Sequence, residues 1–377
     1  MTASLSQQLE DLPADTRNVL KEHHFDKSRL LNLAQRLTGE AEHSNHVSGT
    51  VAAPAPSDVG ELPQQNSSEA RELEELGMNA LRNGECAMVV LAGGMATRMG
   101  GVVKSLVEAL PGKRFLDLRL AELATLEQRS GRRVPLWLMT SQATDATITQ
   151  ALGANADVDY LATFTQFLSA RLTKGGDIFL TKAGEPSLHS PGHGDLPDAL
   201  RKSGLLSRFV ERGGKYLTIA NIDNLGASLD PTIIGYHIKH GKPATCEVVD
   251  KLGTDKGGIP ARHNDRPVVL EEFRIPPGFD PATVRVFSTN TFHVSAEALV
   301  NASIDWSYFT VEKKVEGEVA IQFERLLGEL TSYLDTQFLR LPREGAASRF
   351  LPVKDYEELE ARQNEITLVA RDRGMIE

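Results

Sequence analysis

Residues 87–118, AMVVLAGGMATRMGGVVKSLVEALPGKRFLDL, constrain the fold more than any other stretch of the chain. The unbroken apolar run at 87–91 predicts a buried strand. From Leu91 and Ala92 the chain passes into a loop with four glycines, Gly93, Gly94, Gly100 and Gly101. Glycines let backbone N–H groups approach a polyanion, because no Cβ stands between them. Arg98 and Lys104 add positive charge, so a nucleotide is the expected guest. Two familiar phosphate loops fail on spacing: Gly100 is followed by Gly101 with Lys104-Ser105 further on, which is no Walker loop, and G-x-G-x-x-G is absent.

The chain has 377 residues, enough for one large α/β domain or two smaller ones. Its net charge of −10 argues against a nucleic-acid partner and leaves any polyanion site as a local basic pocket, with Arg98, Lys104 and Lys354 as candidates. Apolar runs are too short for a membrane span, and the N-terminus is acidic where a signal peptide would be basic then apolar. A cytosolic location is therefore expected. The two cysteines, Cys86 and Cys246, sit in strand-like surroundings and read as buried free thiols.

Residues 1–40 carry apolar side chains at helical spacing and predict an amphipathic helical pair packed on the main body. Residues 41–68 are polar and proline-rich, and read as a flexible linker or surface loop. His43 and His46 within them have H-x-x-H spacing, but a metal pair needs a held backbone and further ligands, so none is expected. A charged helix from Glu69 stops at Asn83-Gly84. We expect segments 1–83, helical with a linker; 84–360, the main domain; and 361–377, a C-terminal helix.

Further strands are predicted at 134–139 and 216–220, with helices between, giving a doubly wound sheet. Ligands of such sheets sit beyond the carboxyl ends of the strands, which puts Thr140, Ser141 and Gln142 on the rim of the glycine loop. On the same rim, after 216–220, come Asn221 and Asp223. A carboxylate there is placed to hold Mg²⁺ against a triphosphate. In Ser190-Pro-Gly-His-Gly-Asp195, two glycines hold His193 on a non-helical turn facing a ligand. Pro191 and Gly192 break the helix that a His189/His193 zinc pair would need. Asp230 and Pro231 predict a helix start and Gly241 its stop, with His237 and His240 on its solvated side. Residues 244–275 read as an antiparallel excursion turning at Gly257-Gly258.

Several motifs, in colinear order over about residues 84–360, resemble those of the UDP-sugar pyrophosphorylase family. They are Gly93-Gly94, Thr97-Arg98-Met99-Gly100, Lys104-Ser105, Phe115-Leu116-Asp117-Leu118, Pro-Gly-His-Gly-Asp ending at Asp195, the run from Ala220 to Ala227, and Ser348-Arg349-Phe350-Leu351-Pro352-Val353-Lys354. The resemblance is strongest to the UTP–glucose-1-phosphate uridylyltransferases. It implies a Rossmann-like α/β nucleotidyltransferase fold: a mixed sheet flanked by helices, with a smaller antiparallel sheet over a sugar site. Relatives continue into a C-terminal β-helix, which is not expected in this sequence.

By the same resemblance, Leu91, Ala92, Gly93, Gly94, Gly192, Asn221 and Asp223 bind nucleotide, and Gln166 reads the uracil edge. The Tyr-Pro-Arg that often follows that glutamine in relatives is missing. His193, Asn290 and Glu271 are assigned to the sugar phosphate: His193 to its phosphate, Asn290 to the hexose, and either Glu271 or its neighbour Glu272 to sugar hydroxyls; Ser288 and Thr291 replace two asparagines of the family's sugar strand. Arg98, Lys104 and Lys354 are assigned to the phosphates, and Asp223 to Mg²⁺. The implied reaction joins UTP and glucose 1-phosphate to give UDP-glucose and pyrophosphate. One alternative is an enzyme for N-acetylglucosamine 1-phosphate or a broader set, because residues 77–85 look more like those branches. The other is a UTP-binding regulator without chemistry. No oligomeric state follows from the sequence.

Overall fold

The computed structural model describes residues 3–39 and 45–377; His43 lies outside them. Three helices open the chain: α1 (Leu5–Glu10), α2 (Ala14–Glu22) and α3 (Lys27–Thr38). Next come β1 (Val51–Ala52), β2 (Val59–Glu61), α4 (Ser68–Arg82), β3 (Cys86–Leu91), α5 (Phe115–Ser130), β4 (Leu136–Thr140) and β5 (Leu161–Thr165). The middle of the chain holds α6 (Leu196–Lys202), β6 (Tyr216–Asn221), α7 (Pro231–His240), β7 (Ala244–Asp250), β8 (Gly258–His263) and β9 (Arg266–Glu271). Strands β10 (Val286–Ser295), β11 (Phe309–Val315), β12 (Glu318–Glu324) and β13 (Thr336–Arg340) follow, and α8 (Gln363–Asp372) comes near the end.

Among the described residues, eight strands form one mixed sheet in the order β2-β13-β7-β10-β6-β3-β4-β5. Strand β10 runs antiparallel to both neighbours, β7 and β6, and the other pairs are parallel. Strand β3 sits inside this sheet with every residue buried, which is why its sequence is an apolar run rather than an alternation. Met88 and Val90 enter the core on one face of the sheet, while Ala87, Val89 and Leu91 enter the core on the other. The valine, leucine and methionine side chains each contribute about 1.5–3 kcal/mol on burial.

Helices α4 and α7 cross at two glycines. A Cβ on Gly77 would fall 1.9 Å from the Pro231 carbonyl oxygen, and one on Gly235 would fall 1.8 Å from that of Leu73. Only backbones without side chains can approach so closely. The Asp230 carboxylate caps α7 by accepting from the backbone N–H groups of Thr232 and Ile233, and Gly241 ends it in a left-handed conformation, as the sequence predicts.

Four expectations change. The N-terminal unit has three helices rather than two, and it packs on Leu168, Ala170, Leu172, Ile178, Ile321 and Phe323 of the main body. The polar 41–68 stretch supplies two strands: β1 pairs with β8, and β2 pairs with β13 at the edge of the central sheet. Strand β7 belongs to the central sheet, and the antiparallel excursion is β8-β9, which turns at Asn264 and Asp265 (φ 48 and 63°) instead of Gly257-Gly258. His237 is buried, with its Nδ1 2.8 Å from Thr245 Oγ1. Only His240 is exposed, stacked on Tyr236. Hydrophobic periodicity on one helix could not reveal a hydroxyl delivered by a strand eight residues later.

Candidate active site

A cavity of about 630 Å³ opens beyond the carboxyl ends of β3, β4 and β6. It gathers nine of the residues assigned to the site, Leu91, Gly93, Gly94, Lys104, Gln166, Gly192, His193, Asn221 and Asp223, together with Ser141 and Gln142 of the expected rim. The parallel strands explain this convergence. Strand β3 pairs with β6 on one side and β4 on the other, ending level with Asn221 and Met139, so the loops that follow all emerge on one rim.

Gly93 is held from two sides. Its carbonyl accepts from Ser141 Oγ at 2.9 Å, and a Cβ there would lie 3.0 Å from Gln166 Nε2. The buried Gln166 is fixed by its backbone N–H, which donates to the Thr140 carbonyl at 2.9 Å. Across the cavity the Lys104 ammonium donates to Asp223 Oδ2 at 2.6 Å, both groups half-buried. Asn221 Oδ1 accepts from Asn290 Nδ2 at 3.3 Å, which places Asn290 one hydrogen bond behind the wall. Asn290 holds a left-handed backbone with φ 58°, a conformation asparagine adopts more readily than most residues.

The Gly192-His193-Gly194 turn is wedged against Arg325. A Cβ on Gly194 would lie 2.6 Å from the Arg325 carbonyl carbon, and one on Gly192 would lie 2.9 Å from its oxygen. In that turn His193 Nδ1 accepts from the backbone N–H of Leu327 at 2.9 Å. The proton is therefore on Nε2, which makes His193 a donor. Burial drops its imidazole to about 4, against a smaller pull upward from Glu324, so the ring is neutral near pH 7.

Three further residues line the cavity without a site role assigned from the sequence: Arg171, His189 and Gln322. The Arg171 guanidinium donates to Gln322 Oε1 at 2.9 Å and to the Leu188 carbonyl at 2.7 Å. It adds a second cation to the cavity. His189 was weighed only as a zinc ligand; it is buried, and burial followed by the Arg171 charge lowers it to about 3. Its Nδ1 lies 3.2 Å from the Ser190 carbonyl, while its Nε2 is enclosed without a partner.

Five candidates stand elsewhere. Ala92 is buried behind the rim, and its N–H donates to the Met139 carbonyl at 2.8 Å. Arg98 is exposed on the glycine loop. Glu271 ends β9 against Gly257 and Gly258; burial and then Glu329 and Glu272 push its carboxyl up to about 7. Lys354 is exposed beside a different cavity, which Phe287, Phe350 and Arg362 also line. Asn290 touches the site only through Asn221.

The donor set suits Mg²⁺. That ion is typically held by one or two carboxylates together with phosphate oxygens and water; Asp223 offers one carboxylate on the rim, with Oδ2 engaged by Lys104. Among the described residues no group of three or more His, Cys, Asp or Glu side chains forms a cage that would bind a metal by itself. No helix among them is long and apolar enough to cross a membrane.

The model of the family described as UTP–glucose-1-phosphate uridylyltransferase matches residues 30–373. A protein of that name from Musa acuminata is 30% identical over 91% of this chain and 75% of its own, and one from Astragalus penduliflorus is 28% identical over 98% and 80%. Two solved structures from Trypanosoma brucei share the fold at a TM-score of 0.76 and 22% identity. One is a UDP-glucose phosphorylase covering 96% of this chain and 79% of its own; the other is a uridine diphosphate N-acetylglucosamine pyrophosphorylase covering 93% and 78%. With a family model spanning nearly all the elements that build this rim, the chain belongs to the UTP–glucose-1-phosphate uridylyltransferase family of nucleotidyltransferases.

Proposed function

We propose that the chain joins UTP and glucose 1-phosphate into UDP-glucose and pyrophosphate in this cavity. The observation that carries the reading is the Lys104–Asp223 pair, at 2.6 Å, sharing one cavity with Gln166 and the Nε2–H of His193. In this reading Gly93 and Gly94 cradle the nucleotide, and the Gln166 amide pairs with the uracil edge. His193 donates Nε2–H to the sugar phosphate, whose ionised oxygen attacks the α-phosphorus. A new P–O bond forms there as the bond to the bridging oxygen of pyrophosphate breaks. No protein nucleophile is needed, and catalysis is positioning plus charge stabilisation.

Lys104 and Arg171 supply the positive field for the phosphates. Arg98 and Lys354, which stand outside the cavity, are proposed to reach the phosphates only once substrates are bound. Mg²⁺ held by Asp223 would neutralise charge on the phosphate oxygens. Asn290 positions Asn221, and Glu271 is a candidate for sugar hydroxyls at the edge of the small sheet. The unpartnered Nε2 of His189 is a lone-pair acceptor suited to a sugar hydroxyl.

A second sugar has support of its own, because a solved structure named for the N-acetylglucosamine reaction matches as well as one named for the glucose reaction. Pyrophosphate release with UTP and Mg²⁺ decides between them. Glucose 1-phosphate is expected to support turnover and N-acetylglucosamine 1-phosphate to be at least about tenfold poorer, the discrimination one extra group in a pocket provides. The reverse ranking would move the substrate to the acetylated sugar. UTP binding with no release from either sugar would make the chain a nucleotide-binding regulator.

A further inference from the structure

A second cavity, of about 530 Å³, lies behind the first, between the N-terminal helices and the main body. Lys27 and Arg29 form one side; Phe167, Lys202, Tyr308 and Arg325 form the other. Most of its charges are already matched. Lys27 pairs with Glu10 at 2.8 Å, and Arg29 pairs with Asp26 at 3.3 Å while donating to Tyr308 Oη at 2.9 Å. Arg325 is shared by Asp195 and Asp198 at 2.5 and 2.7 Å.

Lys202 is different. Among the described residues it makes no ion pair, and its ammonium stands 5.8 Å over the Phe167 ring. The buried Arg325 guanidinium lies 5.2 Å from the Phe167 and Trp306 rings, and its Nη2 has no hydrogen-bond partner. An ammonium without an ion pair and an unused guanidinium N–H beside aromatic faces are the chemistry that recognises a phosphate carrying an aromatic or apolar group.

The two cavities share their dividing wall. Gln166 and Leu168 line the first cavity, while Phe167 between them lines the second. The same segment is tied to the corner between α2 and α3: His23 Nδ1 lies 3.2 Å from Thr165 Oγ1, and Leu168 N–H donates to the His23 carbonyl at 3.1 Å. Arg325 completes the partition. Asp195 accepts from Arg325 with one oxygen and from the Phe167 N–H at 2.8 Å with the other. The Arg325 backbone meanwhile bonds Pro191 and Gly194 on either side of His193.

We propose that this second cavity is an effector site for a small phosphate monoester bearing an aromatic or apolar group, and that its occupancy is coupled to nucleotide binding through Phe167, Asp195 and Arg325. The coupling rests on the nucleotide reading of the first cavity; the binding site does not. Phenyl phosphate is the probe, titrated calorimetrically into the full chain, with inorganic phosphate and phenol as the two halves of its chemistry. Phenyl phosphate is expected to bind more tightly than either half. Lys202→Glu and Arg29→Glu, both at exposed positions, should each weaken it by about tenfold or more, the loss of a charge-assisted hydrogen bond, whereas Lys104→Ala should leave it intact.

Saturating phenyl phosphate should shift the UTP dissociation constant by a factor that levels off, and UTP should shift phenyl phosphate by the same factor. Absence of binding at millimolar probe, or binding indifferent to both charge reversals, overturns the site. Unlimited competition with UTP overturns it too, by placing the probe in the first cavity. Phenyl phosphate binding to a chain that does not bind UTP would remove the coupling and the nucleotide reading together while leaving the effector site standing.

Discussion

Lys104 carries the sharpest residue-scale prediction, because its only charged partner in the described structure is the carboxylate proposed for the metal. If it meets charge that develops in the transition state, Lys104→Ala lowers kcat by about 10²–10³-fold. Steady-state pyrophosphate release checks this. A normal kcat with a raised KM would reduce Lys104 to a binding residue. Residue by residue, legibility followed locality. Gly93, Lys104, His193 and Asp223 sit in short motifs whose residue types announce their chemistry. Arg171 and Gln322 do not, since their meaning lies in a 2.9 Å hydrogen bond between positions 151 residues apart. Lys354 shows the converse: a motif match named it, and the fold sets it beside another cavity.

At the scale of elements, a buried polar ladder ties three central strands to the segment after β13. Thr218 on β6 meets His293 Nδ1 on β10 at 3.1 Å, and His293 Nε2 lies 2.8 Å from Glu247 Oε1 on β7. The Arg349 guanidinium then grips Glu247, donating Nε–H to Oε2 at 2.9 Å. Burial by itself would push the Glu247 carboxyl up, but Arg349 and His293 hold it at about 2. Arg349→Leu would strand that charge, and a loss of about 3–5 kcal/mol at pH 7 is expected in urea unfolding. Because the folded carboxyl is depressed below its ordinary value of 4.5, the stabilisation is present above that value and fades as the pH falls toward about 2. The gap between Arg349→Leu and the parent should narrow over that window. A constant gap would mean the cost is packing rather than charge. Nothing local marks Arg349 for this role; it sits in the Ser348-Arg349-Phe350 motif as one more arginine.

For the whole molecule, the N-terminal helices are part of the active body. Leu9, Leu12, Leu20, Leu30 and Leu33 are buried against the segments that lead into and out of Gln166 and Gln322, and each contributes about 1.5–3 kcal/mol. Removing residues 1–39 is expected to expose that apolar face, raising binding of a hydrophobic dye, and to weaken UTP binding through the lost His23 contacts to Thr165 and Leu168. Unchanged UTP affinity in a folded truncation would show that the helices only cover the surface.

The amino-acid sequence by itself determined the parts that depend on short-range physics: the doubly buried β3, the glycine loop after it, the capped start of α7, and the residue types brought to the carboxyl rim. Tertiary structure alone decided which of them share a cavity. It turned a polar stretch near residues 51–61 into two strands, because backbone groups at the edges of existing sheets accept a partner strand whatever its hydropathy. It also buried His237 and Arg325, whose partners, a hydroxyl on the next strand and a carboxylate 130 residues away, come from other elements. Periodicity and glycine report on neighbours a few residues away; the meeting of Lys104 with Asp223, 119 positions on, exists only once the parallel strands are paired.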